Sequence, residues 1–84
     1  MKTHELSILQ DFADAIFSGE MTFILRENDR GYQKGDHIKF RVLKTISRGW
    51  TNHALKDCEY EITYVLNGWG LKNGCVALAI RRIK

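Results

Sequence analysis

Nine residues from Cys58 to Leu66 alternate with the period of a β-strand. Cys58, Tyr60, Ile62, Tyr64 and Leu66 fall on one face, and Glu59, Glu61, Thr63 and Val65 on the other. Successive strand side chains point to opposite sides, so this run predicts a central antiparallel strand with one face in a core. A chain of 84 residues encloses only one modest core, and everything else must be built around that strand. The turns Asn67-Gly68-Trp69-Gly70 and Lys72-Asn73-Gly74 lead into a last strand, Cys75 to Ile83, with Val76, Leu78 and Ile80 inward.

The first half supplies shorter elements. Thr3 to Ile8 alternates, with His4, Leu6 and Ile8 on the apolar side. Asp11 is placed to cap a short helix, in which Phe12, Ala15 and Ile16 recur at helical spacing and Gly19 provides a left-handed stop. So short a helix persists only if its Phe12 and Ile16 stripe packs on a sheet. Thr22 to Arg26 reads as a strand with Phe23 and Leu25 on one face and Thr22, Ile24 and Arg26 on the other. His37 to Lys44 reads as another, with Ile38, Phe40 and Val42 inward and Lys39, Arg41 and Leu43 outward. Thr45 to Asp57, which contains Trp50, is a long polar connection. One helix and about five strands predict an α+β domain spanning residues 1–84: a small, mostly antiparallel β barrel with the helix packed at one end.

Composition excludes several classes. Apolar content of 44% and charged content of 27% are those of a globular domain, Pro is absent, and no repeat or low-complexity tract occurs. No apolar run has signal-peptide or membrane-spanning length, so a cytoplasmic protein with no membrane partner is expected. Cys58 and Cys75 form no CxxC pair, and reduced buried thiols are the default, with a disulfide as the alternative. His4, His37 and His53 are too widely spaced for a metal site, and no hydrolase or phosphate-loop pattern occurs; neither metal nor cofactor is expected. Residues 1–36 hold four Lys/Arg against seven Asp/Glu, a net of −3, and residues 37–84 hold nine against three, a net of +6. The basic half is either a phosphate-facing surface or a solvated face.

Gly19 to Asp36 concentrates turn formers and charge beside a short strand. Within it, Thr22 to Arg30 reads T-F-x-x-R-x-N-D-R, with Tyr32 and Gly35-Asp36 following and His4-x-Leu6 preceding. Tyr64-Val65-Leu66, Gly68, Gly70-Leu71 and Gly74 close the pattern near the end. Over nearly the whole chain this resembles the ASCH family of the PUA-like superfamily, and most closely its small bacterial and phage branch, the domain of unknown function DUF3850. The resemblance implies a PUA-like barrel whose cleft, beside the helix and the following strand, accepts RNA or a nucleoside-like ligand. Some members hydrolyse the amide of acylated cytidine. The family's signature is G-x-K-x-x-E-x-R, with Thr replacing Glu in some hydrolytic members; Gly19 and Arg26 match it, whereas Met21 stands for the Lys and Ile24 for the Glu or Thr. Met and Ile neither polarise a carbonyl nor carry a proton, so no catalytic residue is assigned.

The expected cleft is lined by His4, Gly19, Met21, Thr22, Ile24, Asn28 and Asp29. Arg26, Arg30, Lys34, Lys39 and Arg41 are the candidate phosphate contacts, and Trp69, held between two glycines, the candidate stacking platform. The bland readings are that Arg26 pairs with Glu27, Asp29 or Asp36, that Asn28 and Asp29 only form the turn, that His4 is a hydrogen-bonded wall residue, and that Trp69 packs as a lid. The leading expectation is a module binding RNA or another single-stranded nucleic acid through a base in the cleft. The alternatives are a small amidohydrolase acting on a modified nucleoside, and an interaction subunit contacting a protein through Trp50 and Trp69.

Overall fold

A computed structural model describes residues 1–44 and 49–84. The order is β1 (Thr3–Leu9), α1 (Gln10–Ser18), β2 (Phe23–Glu27), β3 (His37–Leu43), a 3-10 turn (Ala54–Asp57), β4 (Tyr60–Asn67) and β5 (Cys75–Arg82). Residues 45–48, the first part of the polar connection, lie outside the described residues. The connection returns along β3, where Trp50 bridges Leu43, before entering the 3-10 turn. No helix among the described residues is long and apolar enough to cross a membrane.

The α+β class, five strands and short helix agree with the sequence reading. The sheet is mixed, in the order β1-β3-β4-β5-β2. β1 runs parallel to β3, and the other three pairings are antiparallel. It curls toward a barrel without closing, which leaves β1 and β2 as its two edges. Leu6, Ile8, Ile24, Ile38, Phe40, Val42, Ile62, Val76, Leu78 and Ile80 form the core inside the curl, with Leu55 of the 3-10 turn and Ala13 and Ile16 of α1 sealing one end. Burial of each large side chain contributes about 1.5–3 kcal/mol, which fastens a helix too short to persist alone.

Three local expectations change. Asp11 lies in the first turn of α1, whose N-cap is Leu9 without a side-chain hydrogen bond. Phe12 is half exposed, because the buried stripe of the helix is Ala13 and Ile16. Along β4 the alternation breaks at a bulge between Ile62 and Tyr64. The extra residue shifts the strand by one, so Tyr64 and Leu66 turn outward and Val65 packs on the core. Cys58 and Cys75 are both free thiols.

The segment before β3 is tied back to β1 by a buried polar cluster. Asp36 accepts hydrogen bonds from the Lys2 N–H (3.1 Å), the Gln33 N–H (3.2 Å) and the His4 ring (2.9 Å). A carboxylate only accepts, so His4 Nε2 carries the proton. Tyr32 packs edge-on against His4 with ring centroids 4.8 Å apart, and its buried hydroxyl has no hydrogen-bond partner among the described residues. An orphaned buried hydroxyl costs about 1–3 kcal/mol. Tyr32→Phe is therefore expected to hold or raise the melting temperature, and a fall of several degrees in a thermal melt would contradict that account.

Candidate functional site

The two edge strands face each other across a groove of about 420 Å³. Ser7, Ile8 and Leu9 of β1 form one wall and Phe23 to Arg26 of β2 the other, with Phe12, Met21 and Phe40 completing the lining. Local backbone chemistry puts them there. Gly19 takes the left-handed conformation, φ 87°, and donates its N–H to Ile16 O, while the Met21 N–H turns back to Ala15 O. The chain thus reverses at once and sends Met21 beneath the helix and β2 along the groove.

The polar groups of this groove come from the backbone. Ile80 donates to Thr22 O and Asn28 to Gly74 O, so the even-numbered residues of β2 hydrogen-bond to β5. By the alternation of an antiparallel ladder, the N–H and C=O of Phe23 and Leu25 point to the open side. On β1 the His37 N–H binds Lys2 O, which directs the even-numbered residues to β3 and the odd-numbered ones to the groove side. The arginines confirm this polarity: Arg26 Nη1 donates to Ser7 O and Arg30 Nη1 to Glu5 O, each at 2.9 Å. Two guanidiniums thus stand where a sixth strand would close the barrel. Each retains further N–H donors.

Met21, Ile24 and Arg26 of the expected cleft meet in this groove, and Arg30 joins from the turn. The others lie elsewhere. Gly19 and Thr22 line a neighbouring hollow behind the helix with Met21, Arg81 and Arg82. Asn28 and Asp29 line a third hollow beside Lys72 to Cys75, and the Asn28 side chain accepts the Tyr32 N–H. His4 is buried on Asp36 and is not among the groove-lining residues. Arg26 binds β1 rather than Glu27, Asp29 or Asp36, the partners that the bland reading offered. Lys34 is exposed in the turn before β3, and Lys39 on the outer face of β3. The Arg41 guanidinium stacks 3.9 Å from the Trp50 ring centre, joining two residues that the sequence treated separately.

Trp69 is 91% exposed, so it is not a lid. It adopts φ 52° between Gly68 at 76° and Gly70 at 85°. A bulky residue in the left-handed region is strained, and strain of this kind accumulates where a side chain is displayed. Ser7, Leu9, Phe12 and Phe40 escaped the sequence reading because their membership depends on β1 being an edge. Phe12, an aromatic on a helix whose smaller neighbours Ala13 and Ile16 suffice for packing, was the available signal.

Three titratable groups away from the groove are shifted from their ordinary values. Burial pushes the Asp36 carboxyl up, but hydrogen bonds from His4 and from the Lys2 and Gln33 N–H groups outweigh it and hold it below its ordinary value. The hydrogen bond from His37, 2.5 Å away, lowers Glu59. Burial raises the Tyr60 hydroxyl. Among the described residues, no group of His, Cys, Asp and Glu is arranged to hold a metal ion.

Comparison with known proteins adds three findings. The model of the DUF3850 family, a domain of unknown function, matches residues 3–80. No curated protein matches the chain. The crystal structure of hypothetical protein PH0355 superimposes with a TM-score of 0.62 at 16% identity, covering 99% of this chain and 100% of that one. At that identity the likeness concerns the fold alone.

Proposed function

The chain belongs to the DUF3850 family, and from that premise we propose that it is an ASCH-like, PUA-like module that binds RNA or another single-stranded nucleic acid by taking one unpaired base into the groove between β1 and β2. The observation that carries this reading is the pairing of apolar walls with unpaired strand edges. A nucleobase has two apolar faces and a rim of donors and acceptors. Phe12, Met21, Ile24 and Phe40 suit the faces, and the free N–H and C=O groups of Phe23 and Leu25 suit the rim. A volume of about 420 Å³ is ample for a base with its ribose.

The phosphates flanking that base would meet Arg26 and Arg30, whose remaining donors are directed by their hold on β1, and then Lys34, Lys39 and the edge of the Arg41 guanidinium. Trp69 offers a second stacking surface beyond the far end of β2. Met21 and Ile24 leave the groove without a proton-transfer side chain at the two positions where the hydrolytic relatives carry one. Binding without turnover of acylated cytidine is the corresponding expectation.

Titration of a labelled single-stranded oligonucleotide, followed by fluorescence anisotropy, tests the proposal. With five cations engaged, the logarithm of affinity should fall with the logarithm of salt at a slope of about −3.5. Between 50 and 200 mM salt that is a loss of about a hundredfold. Salt-independent binding, or no binding to RNA or single-stranded DNA, would sink it.

A further inference from the structure

The bulge in β4 creates a second surface, on the outside of the sheet, which meets the groove only at its β2 edge, where Phe23 and Leu25 belong to both. Tyr64, Ala79 and Phe23 stand side by side across β4, β5 and β2, and Leu66, Ala77 and Leu25 form the next outward row. Tyr64 is 60% exposed, Leu25 57% and Phe23 47%. No charge interrupts these two rows. A contiguous apolar patch of this kind marks an interaction surface.

Its relief is uneven in a useful way. Tyr64 and Leu66 make a ridge on β4, while Ala77 and Ala79 leave a trough on β5. The next outward row carries an ion pair in the same left-to-right sense, with Glu61 on β4 and Arg81 on β5. Ridge and acid therefore share one strand, trough and base its neighbour. A two-fold axis parallel to the strands, between β4 and β5, lays the ridge of each copy in the trough of the other. The same axis sets Glu61 of each copy over Arg81 of the other. An interface between identical copies must be self-complementary in this sense.

We propose that this outer face of β4, β5 and β2 docks a second copy of the chain, two sheets packing face to face with Tyr64 and Leu66 seated over Ala77 and Ala79. The exposed apolar area is on the order of 400 Å² per copy, below the roughly 800 Å² per partner of a stable complex. The dimer should therefore be weak and dependent on concentration, with a dissociation constant on the order of 100 µM.

Sedimentation equilibrium from 10 µM to 1 mM tests this. Wild type should pass from monomer to dimer across that range. Ala79→Glu, which fills the trough with a charge, and Tyr64→Ala, which removes the ridge at an exposed position, should each weaken association at least tenfold while circular dichroism stays native. Association that vanishes at high salt in both variants and wild type alike would reduce the interface to the Glu61 and Arg81 charges and overturn the ridge-and-trough packing. A wild type that is monomeric at 1 mM, or a dimer that neither variant weakens, would overturn the proposal altogether.

Discussion

Replacing Asp36 by alanine is expected to lower unfolding free energy by about 3–5 kcal/mol, the cost of removing a buried carboxylate and leaving its donors unsatisfied. Asp36 is only 5% exposed, and its carboxylate satisfies donors from Lys2, His4 and Gln33. Removing it leaves the buried His4 ring and the part-buried Lys2 and Gln33 N–H groups without their acceptor. The consequence spreads, because this residue also anchors the sheet through its backbone, with Ile62 donating to Asp36 O at 2.8 Å. For a domain of this size each kcal/mol shifts the midpoint by about 4–8 °C, so a fall of roughly 15–30 °C in a thermal melt is expected. A shift under about 5 °C would contradict the role given to the cluster.

The same carboxylate shapes the acid limb of stability. Its folded pKa lies below the ordinary 3.8, so the native state binds the proton less readily than the unfolded chain does. The stabilisation is then complete above the unfolded value and is lost as pH falls through the folded one. Glu59, likewise held below its ordinary 4.5, acts in the same direction. Urea midpoints should be flat near neutrality and decline below about pH 4. In Asp36→Asn that decline should be shallower, since one of the depressed groups no longer titrates.

Arg26→Ala is expected to reduce affinity for single-stranded nucleic acid by about 10–100-fold, the equivalent of one charge-assisted hydrogen bond of about 1.5–3 kcal/mol. The guanidinium does two things at once: it spans the groove to Ser7 O at 2.9 Å and keeps further donors for a ligand. Lysine carries the charge but no planar fork, so Arg26→Lys should restore the salt slope while recovering only part of the affinity. The variants should be compared by anisotropy at one salt concentration and again across a salt series. If Arg26→Ala binds like wild type, the groove mouth is not where phosphate is met.

Part of the groove could be read from residue order because it depends on neighbours in the chain. Gly19 stops the helix by its own backbone freedom, and Met21, Ile24 and Arg26 follow at spacings that a turn and a strand bring to one place. The core faces of β1, β3 and β5 were likewise legible, since alternation is local and the buried residues are the apolar ones. β4 was misread beyond Ile62. Tyr64 and Leu66 continue the apolar alternation as well as Val65 continues the other phase, and only pairing with β5 decides where the extra residue goes.

What the sequence determined by itself was therefore the set of strands and the helix and, apart from Phe12 and β4 beyond Ile62, the faces that they present, because these follow from backbone sterics and the period of burial. Tertiary structure alone decided which strands became edges. The parallel pairing of β1 with β3 joins residues more than thirty apart in the chain, and no local pattern specifies it. That pairing leaves β1 open opposite β2. From it come the groove with free backbone groups on both walls, the arginines that bridge it and the places of Ser7, Phe12 and Phe40; the bulge in β4 separately exposes the apolar outer face.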